Sequence, residues 1–114
     1  MANVFKLKTK ASLTTSLLPV YTVPSNKTAI ILSISLANKT GNSATASVQI
    51  SSDTSDTETN ADTYLLSTAP VPSGGTLEVM QGNKLVLQTT DVLKAKASTG
   101  SAIDIIVSLM EMDV

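Results

Sequence analysis

Apolar residues alternate with polar ones along most of this chain, and the alternation predicts strands. Phe5, Leu7 and Thr9 interleave with Lys6, Lys8 and Lys10, giving a strand with one apolar and one basic face. A second strand spans Leu17 to Val23, and its Pro19 places it at an edge or a sheet corner, because proline donates no ladder hydrogen bond. Thr28 to Asn38 carries the strongest pattern, with Ile30, Leu32, Ile34 and Leu36 set against Ser33 and Ser35. Its partner runs from Ala44 to Ser51, with Ala46, Val48 and Ile50 facing in. Further strands are predicted over Thr63–Thr68, Thr76–Met80, Lys84–Gln88, Asp91–Ser98 and Ala102–Met112. Gln81-Gly82-Asn83 reads as a hairpin turn joining the sixth and seventh strands. Lys39–Asn42, Pro70–Gly75 and Ser98–Ser101 read as turns.

No segment has a helical period. Eight to nine short strands at this spacing predict an all-β, antiparallel β-sandwich of jelly-roll or immunoglobulin-like type. The 114 residues suit one domain over 1–114, with residues 1–17 an N-terminal arm or edge strand.

Composition narrows the chemistry. The chain has no Cys, His, Arg or Trp, and its net charge is −1. Disulfides, thiolate metal sites and imidazole bases are therefore unavailable. All eight basic residues are Lys, and only Phe5, Tyr21 and Tyr64 could stack on a base. Nucleic-acid binding is not expected. No apolar run approaches a membrane span, and the N-terminus lacks the apolar core of a signal peptide. Synthesis in the cytosol follows as the expectation.

Each candidate site has a plainer alternative. Asp53, Asp56, Glu58 and Asp62 could gather a cation, but they fit no calcium-loop spacing and suit a solvated loop over 52–62. Asn26-Lys27-Thr28 and Asn38-Lys39-Thr40 match the N-glycosylation pattern, which turn chemistry explains equally well. Met110 and Met112 would cap the core or form a soft apolar contact with a partner, the core being favoured, and Glu78 and Glu111 are expected to face outward. No nucleophile elbow appears, and no spacing selects a Ser–Lys dyad. No catalytic, cofactor or metal residue is assigned, and the chain is not expected to be an enzyme. Phe5, Lys6, Leu7, Lys8 and Lys10 are the candidate partner interface, since an alternating strand at a chain end suits pairing with a neighbour. Protection of an edge strand by lysine is the competing explanation.

Three spaced motifs carry a resemblance. They are Tyr21-Thr22-Val23-Pro24 running on to Lys27-Thr28-Ala29-Ile30, Ala69-Pro70-Val71-Pro72 running on to Leu77-Glu78-Val79, and Lys84-Leu85-Val86-Leu87 followed by Asp91-Val92-Leu93-Lys94. As an ordered set over about residues 18–110, they resemble small all-β virion proteins of tailed bacteriophages, including those of cyanobacterial hosts. The resemblance implies a structural component of the particle. It would be a capsid decoration or cement protein, or a neck, tail or baseplate adaptor. Its implied partners are the major capsid protein, other virion proteins and further copies of itself, a trimer being favoured. It implies location in the virion after synthesis in the host cytoplasm, and no cofactor. A carbohydrate- or receptor-binding module is the reading from another class, disfavoured by three aromatics without Trp.

Overall fold

The computed structural model describes residues 3–52, 62–80 and 82–113. Nine strands occur among them: β1 (Asn3–Lys10), β2 (Leu18–Thr22), β3 (Lys27–Asn38), β4 (Ala44–Ser51), β5 (Asp62–Val71), β6 (Thr76–Glu78), β7 (Leu85–Leu87), β8 (Val92–Ala97) and β9 (Ile103–Asp113). The 53–62 cation candidate lies outside the described residues except for Asp62, so its acidic cluster is not placed.

The strands form two antiparallel sheets. Sheet A has the order β1-β9-β3-β6, with β7 also on β3; sheet B has the order β2-β8-β4-β5. The pairings nest: β4 with β5, β3 with β6 and β7, β2 with β8, β1 with β9. The chain is thus one long hairpin, with β1 to β4 as one arm and β5 to β9 as the other. Rolling it up sets β9 beside β3 and β8 beside β4. This is the jelly-roll solution to covering two sheets. It decides between the two sandwich types left open by the sequence.

The core lies between the sheets. Ile31, Ile34 and Leu36 of β3 meet Ile103, Ile105, Val107 and Leu109 of β9, with Val48 and Leu93 opposite. Burying each such side chain contributes roughly 1.5–3 kcal/mol. Pro19 does sit in an edge strand, and the register of β2 shifts between Pro19 and Tyr21. Lys94 and Lys96 point away from the core while Leu93, Ala95 and Ala97 point in, as their alternation predicts.

Two turns use left-handed residues at equivalent places. Lys27 N donates to Pro24 O across Asn26 (φ 63°), and Gly75 N donates to Pro72 O across Gly74 (φ 67°). Asn and Gly are the residues that reach this region most cheaply. At the other end of β3, buried Asn38 fixes the turn that follows. Its Nδ2 donates to Asn42 O and Val71 O, and its Oδ1 accepts from Thr40 N and Oγ1. A glycan cannot attach to an amide nitrogen engaged in this way.

Three expectations need correcting. First, β6 and β7 are not the two arms of a hairpin. Both pair with β3, β6 at Ser35–Ala37 and β7 at Ala29–Ile31, so they form one strand interrupted near Gly82. Second, β3 does not keep one phase. A bulge between Ile31 and Ser33 inserts an extra residue, so Ala29 and Ile31 are buried before it and Ile34 and Leu36 after it. Ile30 therefore faces outward. Third, Glu111 is buried whereas Met110 and Met112 are only half-buried and face away from the core, because β9 holds one parity from Ile103 to Glu111.

Ile34→Ala should lower the unfolding free energy by about 2–5 kcal/mol, as a fully buried branched side chain is lost. Phe5→Ala, on an exposed side chain, should change it by less than about 0.5 kcal/mol. Urea denaturation of the two variants checks the contrast.

Candidate interaction surface

The strand carrying the candidate interface residues is β1, at the edge of sheet A. It pairs with β9 over its whole length, Asn3 opposite Met112 through Lys10 opposite Ile105. That register divides the five residues between two faces. Lys6, Lys8 and Lys10 stand opposite Leu109, Val107 and Ile105, on the inward side. Phe5 and Leu7 stand opposite Met110 and Ser108, on the outward side.

Lys6 and Lys8 reach the open edge of the sandwich, where their charges find partners. Lys6 Nζ lies 2.9 Å from Glu111 Oε1. Tyr21 of β2 donates its hydroxyl to Glu111 Oε2 at 2.6 Å. Lys8 Nζ sits 5.9 Å from the centre of the Tyr21 ring, within cation–π range. The cluster ties β1, β9 and β2 together and so joins the two sheets at one edge. Burial alone would raise the Glu111 carboxyl. The Tyr21 hydroxyl and the Lys6 ammonium, helped by the charge of Lys8, outweigh it and hold the carboxyl below the usual range. Burial, then the hydrogen bond to Glu111 and its negative charge, push the Tyr21 phenol well above its ordinary value. Both carboxylate oxygens of Glu111 are engaged, and the cluster holds strands together.

A second charged group lies at the other end of sheet A. Lys39 Nζ is 2.8 Å from both Ser12 Oγ and Asp104 Oδ1, and Ser12 N donates to the same Asp104 oxygen at 2.7 Å. The contacts hold the carboxyl of Asp104 below its usual range, the Lys39 hydrogen bond contributing most. Here a serine and a lysine do meet, but the ammonium is committed to Asp104. Ser12 has φ 57°, which identifies it as a turn residue where the chain leaves β1.

The outer faces of the two sheets differ in kind. On sheet B, Lys94, Gln49 and Tyr64 form one row across three strands. Beside them runs a groove lined by hydroxyls, including Thr15, Thr45, Ser47, Thr68 and Ser98. Ser47 Oγ accepts from Thr68 N and Ser98 Oγ from Thr45 N, so these two hydroxyls are engaged in holding the backbone. On sheet A, Phe5, Met110, Ile30 and Val86 stand directly opposite one another across four strands. Among the described residues, no three His, Cys, Asp or Glu side chains gather in a metal-binding group.

Sequence reasoning missed Ile30 and Val86 and favoured the core for Met110. The signal was present for Met110, because counting by twos from Ile103 puts it outside. For Ile30 the bulge in β3 concealed it.

No family model matches the chain, and no curated protein matches it in sequence. Solved structures share its fold. A chain of Bacillus endospore appendages, which form disulfide-linked pili, superposes with a TM-score of 0.55 at 9% identity, covering 98% of this chain and 88% of that one. A chain of the T13 particle of IBDV gives 0.57 at 12% identity over 96% of this chain, which spans only 30% of that longer one. A chain of the acid-stable capsid of Helicobacter pylori bacteriophage KHP30 gives 0.52 at 12% identity, covering 100% and 95%. The fold is therefore one found in subunits of capsids and pili.

Glu111→Gln should cost about 1–3 kcal/mol at neutral pH, since it removes the charge that Lys6 and Tyr21 are arranged to meet. The native carboxyl titrates below its ordinary value of 4.5, so its contribution is complete above that pH. It is lost as the pH falls through the lower, folded value. Stability measured by urea denaturation from pH 7 to pH 3 should fall less steeply in the variant. An identical acid limb would show that Glu111 is not linked to folding.

Proposed function

We propose that this protein is a non-enzymatic structural component of a bacteriophage virion, a cement protein seated on the capsid lattice. The observation that supports the reading best is the bare jelly roll itself. About two thirds of the described residues lie in the strands of the two sheets, and the KHP30 capsid chain matches this one end to end at nearly equal length. Fold does not fix function, so the sites must agree with it. They do: the buried polar clusters are fully paired, and the chemistry left over is an apolar sheet face beside an edge strand. Both suit association with other proteins. A cement protein also gains stability from the lattice it binds, because anything that binds only the folded state adds to its stability by mass action.

Phe5 and Leu7 are the residues of the N-terminal strand we place at an interface. Lys6 and Lys8 hold that strand to the sandwich, and Lys10 is its last residue, opposite Ile105.

Quantitative mass spectrometry of purified particles tests the reading. A cement protein on the lattice should approach parity with the major capsid protein. A few copies per hundred would instead indicate a neck, tail or baseplate component. Absence from the particle would overturn the virion reading.

A further inference from the structure

We propose that the hydroxyl-lined groove on the outer face of sheet B binds a tetrahedral oxyanion, a phosphate or sulfate group, with Lys96 supplying the charge and Ser47 and Ser98 donating hydrogen bonds. The groove is separate from the apolar face of sheet A and does not depend on the virion reading.

The groove encloses about 190 Å³ between residues of β4, β5 and β8, with Thr15 at its rim. Pockets for drug-sized molecules begin at roughly 300 Å³, so its occupant is a smaller group. Ser47 and Lys96 are direct partners in the β4–β8 ladder and share the outer face. Ser47 is only 2% exposed. On its other side the β4–β5 ladder is irregular. Ala46 stands opposite Ala69 and Val48 opposite Leu66, so Ser67 and Thr68 together face Ser47. A bulge of this kind re-aims the groups around it. It leaves Thr68 at φ 48°, a left-handed conformation that a β-branched residue holds only under constraint.

The backbone decides what the two serines can offer. Ser47 Oγ accepts from Thr68 N and Ser98 Oγ accepts from Thr45 N, both at 2.9 Å. A hydroxyl also has a proton to give, and neither serine gives it to an acceptor among the described residues. Accepting from an amide polarises each hydroxyl as a donor. Lys96 adds an ammonium, and among the described residues no carboxylate lies within ion-pair distance of it. Lys94, two residues along the same face of β8, strengthens the positive field. Among the described residues, no carboxylate and no aromatic ring lines the groove. The lysines repel a cation, and a sugar has no ring to stack on. An oxyanion fits, because charge-assisted bonds to it use donors alone. The donors stand on several sides, with the hydroxyls of Thr15 and Thr68 facing those of β4 and β8. A tetrahedral anion presents oxygens in all these directions, whereas a carboxylate presents a single edge.

The test titrates the full, isotope-labelled chain with inorganic phosphate at constant ionic strength and follows its backbone amides by NMR. The amides of Thr45 and Thr68 report on the site, because they donate to the two serine oxygens. Both should shift saturably. Lys96→Gln should weaken binding at least about tenfold, as loss of a hydrogen bond to a charged group does. Ser98→Ala should weaken it about threefold or more. Lys94→Gln removes an equal charge outside the groove and should cost less than about threefold, since water and salt screen it. The amide spectrum of each variant shows whether it is folded. Glycerol phosphate, run alongside, separates the two sources of the group. Tighter binding than inorganic phosphate identifies an ester on a larger molecule, and equal or weaker binding identifies the free ion; both support the site. No saturable shift with either probe would overturn the proposal. So would equal losses from Lys94→Gln and Lys96→Gln, which diffuse charge alone would produce, or acetate binding as tightly as phosphate.

Discussion

β9 is the strand on which this fold depends. It lies between β1 and β3 in sheet A, paired to the first over eight positions and to the second along nearly its whole length. Ile103, Ile105, Val107 and Leu109 put a continuous apolar row into the core. Yet β9 is the last strand in the chain, and its partner β1 is the first. That ladder closes the open end of the long hairpin and the β9–β3 ladder forms as the hairpin rolls up, so sheet A depends on contacts far apart in the chain, which form slowly. The row also ends in a carboxylate. Glu111 follows Leu109 on the same face and brings a charge to the edge of the core, where an unpaired carboxylate would be costly. Tyr21 from β2 and Lys6 from β1 answer it. One buried group thereby fixes the position of both edge strands at that side of the sandwich.

The places where strands occur were readable in the sequence; the directions in which they face were less so. Alternation locates β3, β4, β8 and β9 to within a few residues, because a half-buried strand has a period of two wherever it sits. It fails where a single residue breaks the phase. The bulge after Ile31 turns Ile30 outward even though it reads in step with Ile34 and Leu36. Residue type misled where parity was sound. Methionine suggests a core position and glutamate a surface one, but Met110 is outside and Glu111 inside because the strand is regular. The Gln81-Gly82-Asn83 turn signal is real chemistry in the wrong context. A turn flanked by two short apolar runs forms a hairpin only when those runs pair with each other, and here both found β3. Strand order was beyond reach, since it rests on contacts between residues far apart in the chain.

The candidate site shows the same division. Phe5, Lys6, Leu7, Lys8 and Lys10 were legible as an alternating edge strand, and β1 is one. The row that makes its outward face matter was not legible, because it is assembled from four strands drawn from both ends and the middle of the chain. The comparison with pili sharpens the chemistry of assembly. Appendages of the same fold are linked by disulfides, and this chain has no cysteine. Any assembly it enters must therefore rest on packing, backbone pairing and charge.

The orientation of β1 is the step that links the buried cluster to the exposed face. An alternating strand at a sheet edge would ordinarily turn its apolar residues inward and its lysines to water. A slip of one residue against β9 would do that, since it moves every side chain to the opposite face. Lys6 would then leave Glu111 buried without its cation, and Lys8 would leave the Tyr21 ring. Lys6 is 42% exposed, so water screens its pairing with Glu111 and weakens the loss. Burying Phe5 and Leu7 would recover roughly 1.5–3 kcal/mol each. The ion pair alone therefore does not outweigh the exposure of Phe5 and Leu7 in an isolated chain. Covering Phe5 and Leu7 with another surface removes the cost of exposing them and leaves the ion pair intact. The register seen here is thus the one that an assembled protein would favour more strongly than a solitary one.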